Sequence, residues 1–365
     1  MTKYLGSPDY EHGSAPRVGV LLVNLGTPND PSTRSVRRYL AEFLSDPRVI
    51  EMPRALWWLI LHGIILRVRP RRSAHAYQKI WTPRGSPLLV ESRELASGLG
   101  ARLALQFGDR VVVDLAMSYG QPSIQKALEG FRRRNVQRLL VLPLYPQYSS
   151  TTTGTIFERI TQELSTWRWM PELRFVNQYW ERDTYLAAIA DSIVAHWRVN
   201  GRKHLLFSFH SIPKRYFVAG DPYHCFCHGT AHAVAQRLGL AAGEWSIGFQ
   251  SRFGREEWLK PYVDVLLQDY AHSGPKQVTI VCPGFATDCL ETLEEISMQN
   301  REMFLAHGGE AFDYVPCLNA SEAHVAVLED TVLGHVGGWP EFAPTNEAAR
   351  LAAVRDRALA LGAKA

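Results

Sequence analysis

His210, Asp288, Glu291 and Glu295 are the residues of this chain whose types and places could do chemistry. His210 follows the apolar run 205–209 and precedes Ser211-Ile212-Pro213. Proline there stops a strand and forces a turn. The imidazole is therefore expected at the carboxyl end of a central strand. There it can ligate a metal or take a proton near neutral pH. Position alone does not separate that role from ordinary packing.

The acidic residues lie in CPGFATDCLETLEEI, residues 282–296. The pattern predicts a strand over 278–282, a turn at Pro283-Gly284 and a helix from Asp288 onward. Asp288, Glu291 and Glu295 then stand at i, i+3 and i+7 and share one helix face. The helix dipole favours an acid in a first turn by ~0.3–1 kcal/mol, which accounts for many acidic helix starts without any function. This helix, however, opens where ligands bind in parallel sheets, beyond the strand carboxyl ends. A row of carboxylates there offers a path for a metal and for protons. One imidazole with one carboxylate suits Fe²⁺. Two protein ligands also hold an ion loosely enough to hand it on.

The run His224-Cys225-Phe226-Cys227-His228 looks like a metal motif, but the CxxC spacing of zinc sites is missing. Cys282 and Cys289 are the only partners for a four-cysteine set. The plainer expectation is a loop whose cysteines pack as small polarisable side chains.

Elements must hold these residues in place. Apolar runs at 18–25, 111–117, 139–144, 173–177, 204–209, 245–249, 278–282 and 312–315 read as strands. Amphipathic stretches at 33–44, 87–107, 123–134, 184–198 and 255–269 read as helices between them. The alternation predicts an α/β protein of two similar Rossmann-like domains, each a four-stranded parallel sheet flanked by helices. We place the first at 17–170 and the second at 171–320, with a linker near 165–180. A helix at 321–336 would complete the first. The tail 337–365 receives no role. Loops at 24–28, 117–120 and 144–151 would line the far side of the cleft. Their tyrosines and glycines suit a flat aromatic ligand, and no phosphate-binding glycine motif is present.

Composition narrows the class. With 365 residues, 46% hydrophobic and 21% charged, the chain is globular, and a net charge of +4 gives no case for nucleic acid. Five cysteines, none before Cys225, do not form a secreted disulfide framework, and the N-terminus has no signal-peptide core. A cytoplasmic protein is expected. Residues 55–66, ALWWLILHGIIL, are too short to span a bilayer. Followed by Arg67, Arg69, Arg71 and Arg72, they fit three readings. One is a peripheral membrane contact through 55–72. The others are a buried helix with a basic end and an apolar lip over a large flat ligand.

Seven stretches together resemble the ferrochelatase family: LLVNLGTP (21–28), YQKIWTPRGSPL (77–88), MSYGQPS (117–123), LPLYPQYSSTTTG (142–154), SFHSIPKRY (208–216), FQSRFGREEWL (249–259) and CPGFATDCLETLEEI (282–296). The resemblance implies two Rossmann-like domains around a porphyrin. The implied reaction is protoporphyrin IX plus Fe²⁺ giving protoheme and two protons, at the end of heme synthesis. It places the family's histidine at His210 and its glutamate at Glu291, with Asp288 and Glu295 behind, and puts Asn24, Trp81, Tyr119 and Tyr148 against the porphyrin. No cofactor beyond Fe²⁺ as substrate is implied. A [2Fe–2S] cluster is not expected, because its loop position is Ser150 and the tail has no cysteine. Transient contact with the preceding enzyme of the heme pathway would fit. The alternatives are a non-catalytic porphyrin or heme carrier, and a chelatase for coproporphyrin or another divalent metal.

Overall fold

The computed structural model describes residues 4–6, 10–254, 256–342 and 347–363. Arg255 and positions 343–346 and 364–365 of the tail lie outside the described residues. Strands β1 (Arg17–Thr27), β2 (Val111–Gly120), β3 (Val136–Pro143) and β4 (Glu172–Phe175) form one parallel sheet in the order β2-β1-β3-β4. Strands β5 (His204–His210), β6 (Trp245–Gln250), β7 (Gln277–Val281) and β8 (Ala311–Val315) repeat that order as β6-β5-β7-β8. Four consecutive residues of β1, Val20 to Val23, are wholly buried, so this sheet is covered on both faces. Register is set by the central strands: Val20 lies beside Val113 and Leu140, and Phe207 beside Ile247 and Val281.

Helices α1 (Thr33–Leu44), α2 (Arg54–Ile60) and α3 (Leu66–Ile80) form an insertion after β1, and α4 (Pro87–Phe107) leads to β2. Helices α5 (Ile124–Arg133) and α6 (Thr155–Leu164) follow β2 and β3, and α7 (Asp183–Asn200) enters the second sheet. Its strands are joined through α8 (Lys214–Val218), α9 (Tyr223–Arg237), α10 (Val263–Ser273) and α11 (Arg301–Ala306). Helix α12 (Glu322–Val336) packs on both α4 and α7, with ion pairs Arg102–Glu329 and Arg182–Asp330 to the two helices' neighbourhoods. Helix α13 (Glu347–Ala360) closes the chain. Serine caps start α1, α5 and α12: Ser32, Ser123 and Ser321 each accept from the backbone N–H three residues on.

Four expectations need correction. The boundary expected between 170 and 171 falls too early, because β4 pairs with β3 and belongs to the first sheet. The helix expected at 255–269 begins only at Val263. Residues 256–262 form a loop pinned by the bridges Pro213–Trp258 and Phe249–Tyr262. Pro261 has no N–H to give a helix, so the amphipathic spacing was accidental. The HCFCH run lies on α9, not in a loop. The apolar segment is neither fully buried nor a simple α-helix. Trp57, Leu61 and Leu66 are buried while Leu56, Trp58, Leu59, Ile64 and Val68 are exposed, and Leu61–Ile65 is a π-helical turn.

Candidate active site

His210 is the last residue of β5, paired in register with Gln250 of β6, and is half-buried. Its Nδ1 lies 2.6 Å from the Ser211 carbonyl. A carbonyl only accepts, so Nδ1 carries the hydrogen and Nε2 presents a bare lone pair. Burial pushes this imidazole below its ordinary pKa, while the nearby Glu291 carboxylate pulls the other way. The neutral, ligating form is therefore favoured.

Glu291 opens a ten-residue π-helix, Glu291–Asn300. Such helices are rare and concentrate at functional sites. The wider turn lines up residues four apart, so Glu291 and Glu295 share a face. Glu295 accepts from the Ser251 hydroxyl. Burial raises its pKa to about 7, with Ser251 opposing and Glu291 adding to the rise. It can take and release a proton at neutral pH.

Asp288 departs from the expected row. It precedes the helix and is buried. Its carboxylate accepts from Tyr314 Oη at 2.5 Å, Asn319 Nδ2 at 2.7 Å and Thr292 Oγ1 at 3.0 Å, and its own N–H donates to Asn319 Oδ1 at 2.7 Å. These bonds fix the start of the π-helix rather than offering an open carboxylate.

The opposite wall is aromatic. Tyr39, Tyr77 and Tyr119 are buried together with Leu61, and Trp81, Leu290 and Leu293 pack on them. Tyr119 does not reach open space: its hydroxyl donates to Asp46 at 3.0 Å and the Arg159 guanidinium lies over its ring at 4.5 Å. Asn24 is likewise committed. Its Nδ2 donates to Ser92 Oγ (3.0 Å) and to Thr287 Oγ1 (3.2 Å), and its Oδ1 accepts from Leu25 N (2.8 Å), so it staples β1 to the loop before the π-helix. Tyr148 is half-buried, with Asp221 and Arg48 as its charged neighbours. Gly26 must be glycine: at φ +112° a Cβ would sit 1.8 Å from the Tyr119 carbonyl oxygen.

Beside Glu291 lies a small cavity of about 10 Å³, lined by Gly26, Thr27, Tyr39, Tyr77, Ser86 and Glu291 among others but not by His210 or Glu295. That is room for about one water. The insertion reaches across to the second half. Arg69 lies over the Phe253 ring at 5.0 Å, Lys79 meets Glu294 at 2.9 Å, and Arg215 pairs with Glu51.

Sequence reasoning missed the residues that hold the acids. Gln250 is buried and its Nε2 donates to the Glu291 carbonyl at 2.9 Å, while its Oε1 accepts from Ser208 Oγ at 2.5 Å. Its own carbonyl accepts from Ser211 N at 2.8 Å. Ser251, which holds Glu295, sits at φ +66°, a conformation that costs a non-glycine residue ~1 kcal/mol. Both lie at the carboxyl end of β6, so the strand-end argument that picked out His210 would have found them.

The pattern of the ferrochelatase family matches residues 17–336. The chain is 55% identical to a ferrochelatase of Nitrosococcus oceani, with 99% of each chain covered. It is 52% identical to one of Thioalkalivibrio sulfidiphilus, covering 99% of this chain and 100% of the relative. Among solved structures, SirB from Bacillus subtilis with Fe³⁺ superposes with TM-score 0.51 at 12% identity, over 90% of this chain and 96% of that one. This likeness supports the two-sheet fold.

Proposed function

The chain belongs to the ferrochelatase family, and from that premise we infer that His210, Glu291 and Glu295 carry out its reaction, the insertion of iron into a porphyrin in heme synthesis. The substrates in this reading are Fe²⁺ and protoporphyrin IX, and the products are protoheme and two protons. Among the described residues, no three histidine, cysteine or acidic side chains converge as a metal cage. His210 Nε2 and the Glu291 carboxylate then serve as a two-ligand hold, weak enough to release iron into the ring. A flat porphyrin hides its nitrogen lone pairs. Walls that bend it supply ~1–5 kcal/mol of strain toward exposing them. Each entering iron displaces two N–H protons, and Glu295, titrating near neutrality, takes them up in turn. Asp288, with its carboxylate fully engaged, acts as a positioning residue.

The observation that carries this reading is the bare Nε2 of His210 within electrostatic reach of Glu291, backed by a carboxyl group tuned to about 7. A porphyrin carrier needs a ligand but no such proton acceptor. Anaerobic mixing of the pure chain with Fe²⁺ and protoporphyrin IX should yield the heme spectrum catalytically. Stoichiometric porphyrin binding without turnover would sink the reading, and competition with coproporphyrin decides the preferred ring.

The reading places the chain in the cytoplasm without an iron–sulfur cluster. No helix among the described residues is long and apolar enough to cross a membrane. The exposed face of Leu56, Trp58, Leu59, Ile64 and Val68, bordered by exposed Arg67, Arg71 and Arg72, fits the surface of an anionic bilayer. It would also serve a passing contact with the enzyme that supplies the porphyrin. Sedimentation with anionic vesicles but not with neutral ones is expected, and equal sedimentation with neither would rule out the membrane contact.

A further inference from the structure

Outside the cleft, α9 carries His224, His228 and His232 at four-residue spacing on one helix face. The rings of His224 and His228 lie 4.4 Å apart between centres, tilted by 43°, and both pack against Phe249. His232 turns instead to Trp245, 4.9 Å away. The Nε2 of His228 is buried and has no hydrogen-bond partner. A bare nitrogen in that setting calls for a donor, a water or an ion.

Burial, then the neighbouring His224 and His232, push the His228 pKa down to about 4, and burial lowers that of His224. Both rings are thus neutral at physiological pH, which is the ligating form. The spacing also fits a chelate. Two imidazoles on one cation, each with a metal–nitrogen distance near 2.1 Å, hold their ring centres about 4.5 Å apart at the right angles of Ni²⁺ or Cu²⁺ and about 5 Å apart at the tetrahedral angle of Zn²⁺.

We propose that His224 and His228 form a two-imidazole clamp on the surface of the second half for a borderline divalent cation such as Zn²⁺, Ni²⁺ or Cu²⁺. The same i, i+4 spacing presents the two helical histidines of H-E-x-x-H metal sites. Binding turns the His228 ring to bring Nε2 to solvent, where water completes the coordination shell. Exposed Cys225 stays outside the clamp, as does Cys227, which is buried against Tyr223. Affinity should rise from Zn²⁺ and Ni²⁺ to Cu²⁺. A cation held here bridges one turn of α9 and leaves the cleft untouched.

Calorimetric titration of the full chain with Zn²⁺ alone tests the clamp. Wild type should show one more site than His224→Gln or His228→Gln, each losing that site or weakening it at least tenfold. His232→Gln should bind as wild type does. Circular dichroism and iron-insertion turnover, unchanged in all three, will show that the fold is intact. Wild-type titration curves in both single variants overturn the clamp, and so does loss of the site in His232→Gln alone. A measurement without variants stands beside this one. One equivalent of Cu²⁺ on the wild type should show paramagnetic coupling to two imidazole nitrogens, and coupling to one or none overturns the assignment.

Discussion

The two sheets share a strand order but end differently. At the carboxyl end of the first, Asn24, Thr27 and Tyr119 have all their polar groups spent on neighbours: Ser92 and Thr287, Ser86, and Asp46. At the carboxyl end of the second, His210 keeps a bare nitrogen, and Glu291 and Glu295 stand on a helix of unusual pitch. One frame has thus produced a rigid aromatic wall and a titratable wall. The first grips a ring by shape. In the proposed reading the second exchanges protons and metal with it. The contrast implies that substitutions in the second half change turnover, while those in the first change stability or fit.

His210→Ala should break the titratable wall most severely. Turnover is expected to fall about a thousandfold, the upper range for a positioned acid–base group, while porphyrin binding, followed by fluorescence, stays near wild type. Near-normal turnover would undo the contrast at its centre. Glu295→Gln should cost roughly tenfold to a hundredfold and reshape the pH profile. Because Glu295 titrates near 7, wild-type turnover should decline as pH falls through that value and the acceptor fills. The glutamine variant should lose that decline. The His210 pKa is lowered by burial, so its protonation should stop turnover only below the ordinary imidazole range. An unchanged profile in Glu295→Gln would count against a proton-accepting role. On the aromatic wall, Tyr119→Phe removes one donor to buried Asp46 and should cost about 1–2 kcal/mol of stability. Denaturant unfolding reads that loss, and kcat and KM should hold. A rise in KM would show that Tyr119 meets the ring after all.

Much of this was readable from the chain because strand ends announce themselves. The apolar run into His210 and the proline after it fixed both the strand and the place of the imidazole. Residues 255–269 were misread because helical spacing ignores what Pro261 does to hydrogen bonding. Asp288 was misplaced for a subtler reason. The 3.6-residue period puts it in line with Glu291 and Glu295, but the backbone is not yet helical there and then turns more widely than an α-helix. The commitments of Tyr119 and Asn24 depend on Asp46, Ser92 and Thr287, between 68 and 263 residues away in sequence. Pairings of that span leave no local pattern.

The contacts that join the insertion to the second half have a thermodynamic consequence. A ring of porphyrin width that enters between the insertion and the second half must part these contacts. Only the open fraction of molecules is competent to bind, and the apparent dissociation constant is the intrinsic one divided by that fraction. Arg215–Glu51 and Lys79–Glu294, with their partly exposed cations, therefore compete with the substrate. An exposed pair such as Arg215–Glu51 is worth ~0.2–1 kcal/mol, so it tunes affinity by up to about fivefold. Salt, which screens such pairs, should loosen this junction and tighten porphyrin binding, the reverse of its usual effect on a charged ligand.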